Sequence, residues 1–177
     1  MLISLVVPSY NEEEALPFFY KEASRVAAQM KASHGAVFEF IFIDDGSKDG
    51  TLRVARALHD QDPRVRYVSF SRNFGKEAAI YAGLQAARGD YVATLDADLQ
   101  DPPALLPQML DALQTGDYDC AATRRTTRAG EPPVRSWFAR RFYQLINRLS
   151  DTEIVDGARD YRLMSRRALQ GLSSYRE

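Results

Sequence analysis

The sequence predicts an α/β fold with a mostly parallel central sheet and helices on both of its faces. Short apolar runs alternate with segments whose apolar residues recur at helical spacing. The runs are apolar almost throughout, as in strands that are buried on both faces of a parallel sheet. Polar and charged residues are concentrated directly after these runs, at the edge where open α/β sheets bind their ligands.

The predicted elements alternate regularly along the first 123 residues. Strands are predicted at residues 2–7, 38–43, 65–70, 91–95 and 118–123. Helices are predicted at residues 13–33, 51–59, 76–87 and 103–115. The buried face of the first helix is predicted to comprise Leu16, Phe19, Ala23, Val26, Ala27 and Met30. For such a fold we expect the strand order 3-2-1-4, which brings the ends of the first and fourth strands together.

Composition favours one domain over residues 1–177, with a binding core at 1–123 and a further segment at 124–177. A net charge of −1 argues against a nucleic-acid binder. The single cysteine, Cys120, excludes an internal disulfide, and its apolar neighbours predict a buried, unreactive thiol. No apolar run is long enough to span a bilayer and no signal peptide is recognisable, so a cytoplasmic setting is the default expectation.

The strongest motif is Asp96-Ala-Asp98, directly after the fourth predicted strand. Side chains at positions i and i+2 of an extended chain share a face, so the two carboxylates would point to one place. Carboxylates held this close repel each other, and a divalent cation relieves the repulsion. Mg²⁺ or Mn²⁺ typically binds one or two carboxylates together with substrate phosphates. If the chain stays extended, Gln100 is a third candidate ligand, whereas Asp101 before two prolines favours a helix N-cap.

Candidate nucleotide-binding residues follow the first strand. Tyr10 is suited to stack on a nucleobase and Glu12 to hold a ribose, whereas Asn11 also suits a helix cap. After the second strand, we expect Asp44 or Asp45 to accept hydrogen bonds from a nucleobase or ribose, as acids do at comparable positions in dinucleotide-binding folds.

Lys76 follows the third strand in a Gly-Lys pair that lacks the rest of a Walker phosphate loop. Two interpretations of Lys76 stay open, a contact with a nucleotide phosphate and a solvated lysine in the first turn of a helix.

Residues 124–148 form a basic segment with seven arginines and one acid. Apolar residues between 134 and 149 recur at helical spacing, which predicts an amphipathic helix. That helix either packs on the sheet with a solvated basic side or lies on a membrane with arginines facing lipid phosphates. Beyond it, Asp160 is either a base or orienting group in the ligand crevice or a loop acid paired with an arginine.

Four segments together resemble family 2 glycosyltransferases, namely residues 6–12, 43–49, 71–78 and 95–103. The resemblance extends over essentially the whole chain and is closest to the polyprenyl-phosphate branch, which includes bactoprenol-phosphate glucosyltransferases and dolichol-phosphate mannose synthases. It implies a GT-A fold, a nucleoside-diphosphate sugar donor and inversion at the anomeric carbon. Two departures from the branch are Arg159 and Tyr161, where glycine and phenylalanine are usual around the acid that Asp160 matches.

The motifs and the resemblance together assign expected roles to single residues. The expected nucleotide-sugar site comprises Pro8, Tyr10, Asn11, Glu12, Asp44, Asp45, Asn73, Lys76, Asp96 and Ala97. Mg²⁺ or Mn²⁺ would be held by Asp96, Asp98 and Gln100. Asp98 and Asp160 are the expected catalytic residues. Phosphate and acceptor contacts are expected from Arg124, Arg128, Arg140 and Arg141.

The expected reaction moves a sugar, with UDP-glucose favoured as donor, to a polyprenyl (undecaprenyl) phosphate at the cytoplasmic face of a membrane. C-terminal membrane helices, common in this branch, are expected to be missing from the chain. One alternative is a soluble saccharide or protein acceptor, and another is a non-catalytic subunit that binds sugar nucleotides. The sequence leaves a GDP-linked donor and a homo-oligomer open.

Overall fold

The computed structural model describes residues 1–124 and 158–174. Its strands are β1 (Leu2–Ser9), β2 (Val37–Asp44), β3 (Val65–Ser69), β4 (Tyr91–Thr94), β5 (Cys120–Arg124) and β6 (Ala158–Ser165). Its α-helices are α1 (Ala15–His34), α2 (Thr51–Gln61), α3 (Lys76–Ala86), α4 (Leu106–Thr115) and α5 (Arg166–Ser174). A 3₁₀ turn at Pro103–Leu105 leads into α4.

The six strands form one mixed sheet in the order β3-β2-β1-β4-β6-β5. Parallel pairing joins β3 to β2, β2 to β1 and β1 to β4, so the expected order 3-2-1-4 is confirmed. β6 pairs antiparallel with β4, from Tyr91 opposite Ser165 to Thr94 opposite Arg162. Strand β6 is not among the strands predicted from the sequence. The sheet is therefore mostly parallel, with its carboxyl ends at β1 to β4 gathered on one edge.

The core forms because β1 and β2 are buried along almost their whole length. Helix α1 packs on them with the predicted apolar face, comprising Leu16, Phe19, Ala23, Val26, Ala27 and Met30. Burying each large apolar side chain contributes about 1.5–3 kcal/mol. Tyr161 of β6 also lies in this core, 1% exposed, where the resembling family usually has phenylalanine. Burial and the nearby charge of Asp101 raise the pKa of its hydroxyl.

Two local predictions are wrong. Cys120 is exposed, because β5 is the last strand in the sheet order and its first residue is not covered by the apolar neighbours in sequence. Pro102, in an extended conformation, takes the N-cap position of the 3₁₀ turn, so the turn begins one residue later than an Asp101 cap requires. Proline in the first turn is confirmed.

The chain divides into two compact units, one of residues 1–121 and 161–177 and the other of residues 122–160. Of the second unit, the structure describes the end of β5 and the start of β6. The predicted helix at 134–149, together with Arg128, Arg140 and Arg141, lies outside the described residues. Among the described helices, none has the length and apolar character needed to cross a bilayer.

Candidate active site

A cavity of about 400 Å³ opens where strands β1 to β4 end. Its lining comes from the last residues of β1 and from the segments that follow β1, β2, β3 and β4. It is lined by Pro8, Ser9, Tyr10, Glu12, Asp45, Asn73, Gly75, Lys76, Ala79, Asp96, Ala97 and Asp98. This is the edge at which the strand order reverses between β1 and β4, which is the ligand crevice expected of open α/β sheets.

The cavity lining contains most of the residues that the sequence predicted to bind the nucleotide sugar and the metal ion. Pro8, Tyr10, Glu12, Asp45, Asn73, Lys76, Asp96, Ala97 and Asp98 all line it. Ser9, Gly75 and Ala79 also line it and were not nominated. Ser9 and Gly75 belong to two of the motifs described above, so their positions in those motifs could have indicated them. Ala79 lies one helical turn after Lys76, so helix periodicity could have indicated it.

Asp96 and Asp98 both line the cavity, but the backbone that carries them is not the extended chain that was predicted. Strand β4 ends at Thr94, and Ala97 and Asp98 already belong to a turn. The carboxylate of Asp98 accepts a hydrogen bond from the backbone N–H of Gln100 at 3.0 Å. Between them, Leu99 has a φ of 59°, which redirects the chain. The premise of an extended path is therefore wrong, and the side chain of Gln100 is exposed; a metal-ligand role for Gln100 stays a prediction.

Negative charge is concentrated in the cavity. Partial burial raises the pKa of Glu12, and the charges of Asp98, Asp96 and Asp49 raise it further. Lys76 is the basic residue in the described lining, and its Nζ lies 2.8 Å from Oδ2 of Asp96. The acids of the lining thus outnumber its base, and an anionic ligand needs additional positive charge to enter.

The donor set suits a Mg²⁺ or Mn²⁺ ion that shares its ligands with a phosphate group. Within the described residues, no three or more His, Cys, Asp or Glu side chains form a metal-binding group. Asp96 and Asp98 instead provide two carboxylates on one cavity wall. Mg²⁺ commonly binds through one or two carboxylates, with waters and substrate phosphates completing its shell. The residues present therefore fit an ion that arrives with a diphosphate.

The loop after β1 is fastened to the loop after β2 by reciprocal hydrogen bonds. The backbone N–H of Asn11 donates to Oγ of Ser47 at 3.0 Å, and the N–H of Lys48 donates to Oδ1 of Asn11 at 2.9 Å. Asn11 adopts a φ of 57°, a conformation that asparagine tolerates better than most residues. Asn11 therefore joins the two loops, and the cap that the sequence suggested for it is not observed on α1.

Glu12, the next residue, is also hydrogen-bonded to the segment that follows β2. The backbone N–H of Glu12 donates to Oγ1 of Thr51 at 2.8 Å, and that hydroxyl donates to Asp49 at 2.6 Å. Glu13 makes two further hydrogen bonds between these loops. Its N–H donates to Asp49, and its carboxylate accepts from the N–H of Gly50 at 2.8 Å. These bonds fix the backbone from which the side chain of Glu12 enters the cavity.

Asp44 and Asp45 have structural partners that the sequence did not reveal. The carboxylate of Asp44 is buried and accepts from the N–H of Ser47 at 3.1 Å and from Oγ of Ser69 at 2.9 Å. Asp45 accepts from the N–H of Phe74 at 2.7 Å and from that of Gly75 at 3.0 Å. The two acids therefore hold the loops around the cavity, and Asp45 also forms part of its lining.

The remaining predicted residues belong to the second unit. Asp160 is the third residue of β6 and is exposed. Arg124 is the last residue of β5. Their roles in catalysis and phosphate binding stay predictions.

Comparison with known proteins identifies the family. A family model described as glycosyl transferase family 2 matches residues 4–172. The chain is 42% identical over 172 residues to the prophage bactoprenol glucosyl transferase homolog of Escherichia coli strain K12, covering 97% of this chain and 55% of that protein. It is also 42% identical over 172 residues to the bactoprenol glucosyl transferase of Shigella phage SfV, covering 97% and 54%. The chain thus spans about half the length of these relatives.

A solved structure has a similar fold. It is glucosyl-3-phosphoglycerate synthase from Mycobacterium tuberculosis in complex with Mn²⁺, uridine diphosphate and glucosyl-3-phosphoglycerate. The TM-score is 0.58 at 27% identity, over 94% of this chain and 57% of that chain. The six-stranded, mostly parallel sheet has the GT-A-like architecture of glycosyltransferases. Because the family model matches nearly the whole chain and the relatives exceed 40% identity, the chain belongs to glycosyl transferase family 2.

Proposed function

We propose that the chain transfers glucose from a nucleoside-diphosphate sugar to a polyprenyl phosphate. One observation carries the proposal: Asp96, Asp98 and Lys76 line a single cavity at the carboxyl ends of β1 to β4. Two carboxylates can bind a divalent cation, and an ammonium group can bind a phosphate. Together they suit a ligand that carries a diphosphate. The names of the relatives, bactoprenol glucosyl transferases, support glucose as the sugar and a polyprenyl phosphate as the acceptor.

The segments at the carboxyl ends of β1 and β2 would bind the nucleoside. Tyr10 is 40% exposed at the cavity wall, which leaves its ring available to stack on a base. The backbone of Glu12 is held at the same wall by Thr51, and its carboxylate would accept hydrogen bonds from a ribose. UDP is the favoured nucleotide, and the UDP complex of the structural relative supports this choice.

The diphosphate would lie against Asp96, Asp98 and Lys76. When bound there, Mg²⁺ or Mn²⁺ neutralises the charge that builds on the leaving diphosphate. Asp96 and Asp98 would hold that ion, and Lys76 would contact a phosphate oxygen directly. The structural relative is a complex that contains both Mn²⁺ and UDP, which supports a divalent ion as the cofactor.

The acceptor phosphate needs little activation, because a phosphate monoester has its second pKa near 6 and is largely dianionic at neutral pH. Asp160 would therefore orient the attack on the anomeric carbon more than it removes a proton. Arg124 and Arg128 would contact phosphates, and Arg140 and Arg141 in the basic segment would hold the chain at the cytoplasmic surface of a membrane.

The test is sugar transfer in vesicles that contain undecaprenyl phosphate, with radiolabelled UDP-glucose as donor and Mn²⁺ present. We expect a glucosylated lipid that extracts into organic solvent, and none after chelation. GDP-mannose and a soluble saccharide serve as the alternative donor and acceptor. Binding of UDP-glucose without any transfer or hydrolysis would instead favour a non-catalytic sugar-nucleotide-binding subunit.

A further inference from the structure

We propose that Lys76 is the counter-ion of Asp96 while the cavity holds no ligand, and that it moves to the diphosphate when a divalent cation binds. The cation and the nucleoside diphosphate would then bind cooperatively, with Lys76 as part of the coupling. The inference rests on the proposed function, because it assumes that a cation and a diphosphate share this cavity.

The first support is the ion pair itself. Nζ of Lys76 lies 2.8 Å from Oδ2 of Asp96, on the carboxylate that the cation would need. The two side chains are 38% and 36% exposed, so water and ions reach the pair. Ion pairs with this exposure contribute little to stability, so a change of partner costs little free energy.

The second support is the way in which the backbone of Lys76 is fixed. Lys76 is the first residue of α3, and the N–H groups of the two preceding residues, Phe74 and Gly75, are both bonded to the carboxylate of Asp45. Gly75 has a φ of 98°, which favours glycine and sets the direction in which the helix begins. The exchange therefore involves a rotation of the lysine side chain, while Asp45 holds the backbone that precedes it.

The third support is the balance of charge. Glu12, Asp45, Asp96 and Asp98 line the cavity together with Lys76. A divalent cation at Asp96 would lie next to the ammonium group and repel it. A diphosphate in the same cavity offers that group a new anionic partner. The cation would thus release Lys76 to the diphosphate, and the diphosphate would draw Lys76 away from the cation's carboxylate. By linkage, each ligand must raise the affinity for the other by the same factor.

The experiment measures Mn²⁺ binding to the intact chain by electron paramagnetic resonance, with and without UDP, in the wild type and in Lys76→Met. We expect Lys76→Met to bind Mn²⁺ alone about tenfold more tightly than the wild type, because the competing ammonium group is gone. We expect the enhancement of Mn²⁺ binding by UDP to be about tenfold smaller in the variant. Lys31→Met, which removes an exposed lysine from α1, is the matched control and should behave as the wild type.

Lys76→Gln is measured in parallel and keeps a polar group at the position if Lys76→Met does not fold. The inference is overturned if removing the lysine charge leaves Mn²⁺ affinity unchanged, or if UDP enhances Mn²⁺ binding equally in variant and wild type. A wild type that binds neither UDP nor GDP in the presence of Mn²⁺ would overturn the proposed function itself, which separates the two failures.

Discussion

The hydroxyl of Thr51 lies 2.8 Å from the backbone nitrogen of Glu12 and joins the start of α2 to the loop that enters the cavity. Thr51 is fully buried, and the same hydroxyl donates to Asp49 at 2.6 Å. One buried side chain thus connects two β-α units. The placement of Glu12 in the cavity therefore depends on a residue that does not itself line it.

Replacing Thr51 with valine tests this dependence. Thr51→Val keeps the shape but leaves the N–H of Glu12 without its acceptor, so we expect a loss of about 1–3 kcal/mol in the free energy of unfolding. We also expect a higher KM for the sugar nucleotide with a smaller change in kcat, measured by steady-state kinetics. Thr51→Ser should restore both values.

Thr115→Val is the control, because the hydroxyl of Thr115 donates to the carbonyl of Asp111 at 2.7 Å, within α4 and outside the cavity lining. An unchanged KM in Thr51→Val would show that the hydroxyl does not position Glu12.

The pKa of Glu12 predicts a pH-dependent cost to stability. Because burial and the charges of Asp98 and Asp96 raise this pKa above 4.5, the ionised carboxylate destabilises the folded state. Glu12→Gln is therefore expected to be more stable than the wild type at pH 7. The gain should shrink as the pH falls through the raised pKa and disappear below about 4.5, where the unfolded state is protonated as well.

Urea unfolding at a series of pH values measures this difference. Glu14→Gln, which removes an exposed carboxylate beside the same helix start and outside the cavity lining, is the matched control. A Glu12→Gln variant that is less stable than the wild type at pH 7 would contradict the electrostatic explanation.

The close approach of Gly46 to Arg72 predicts a severe effect of a single methyl group. Gly46 has a φ of 66°, and a Cβ there would overlap the backbone of Arg72. Gly35 has a nearly equal φ of 64°, with open space around it. We expect Gly35→Ala to cost about 1–2 kcal/mol from backbone strain alone, and Gly46→Ala to cost about 4 kcal/mol or more.

Chemical denaturation of the two variants measures their losses in the free energy of unfolding. The difference between the losses is the cost of the overlap with Arg72, because the backbone strain is common to both variants. Equal losses would mean that the loops containing Gly46 and Arg72 separate easily.

Much of the binding edge was predictable from the sequence because its signals are local. Apolar runs mark β1 to β4, and the polar residues that follow them must meet where parallel strands end. β6 was not predictable in the same way, because only part of it alternates: Tyr161 and Leu163 are buried, Arg162 is exposed and Met164 is again buried. Its antiparallel pairing with β4 joins segments about seventy residues apart.

The side-chain partners of the acids were beyond sequence analysis for a related reason. The bonds from Phe74 and Gly75 to Asp45, and from Lys76 to Asp96, each cross between two β-α units. No periodicity in the sequence relates such positions. The turn at Leu99 is another case, because a leucine with positive φ has no recognisable sequence signature.

The most direct test of the central claim is a crystal structure of the chain with Mn²⁺ and UDP, in which anomalous scattering locates the ion. We expect Mn²⁺ between the carboxylates of Asp96 and Asp98 and the diphosphate, with the nucleoside against Tyr10 and Glu12. A nucleotide bound elsewhere, or Asp96 and Asp98 pointing apart with no ion between them and the diphosphate, would contradict it.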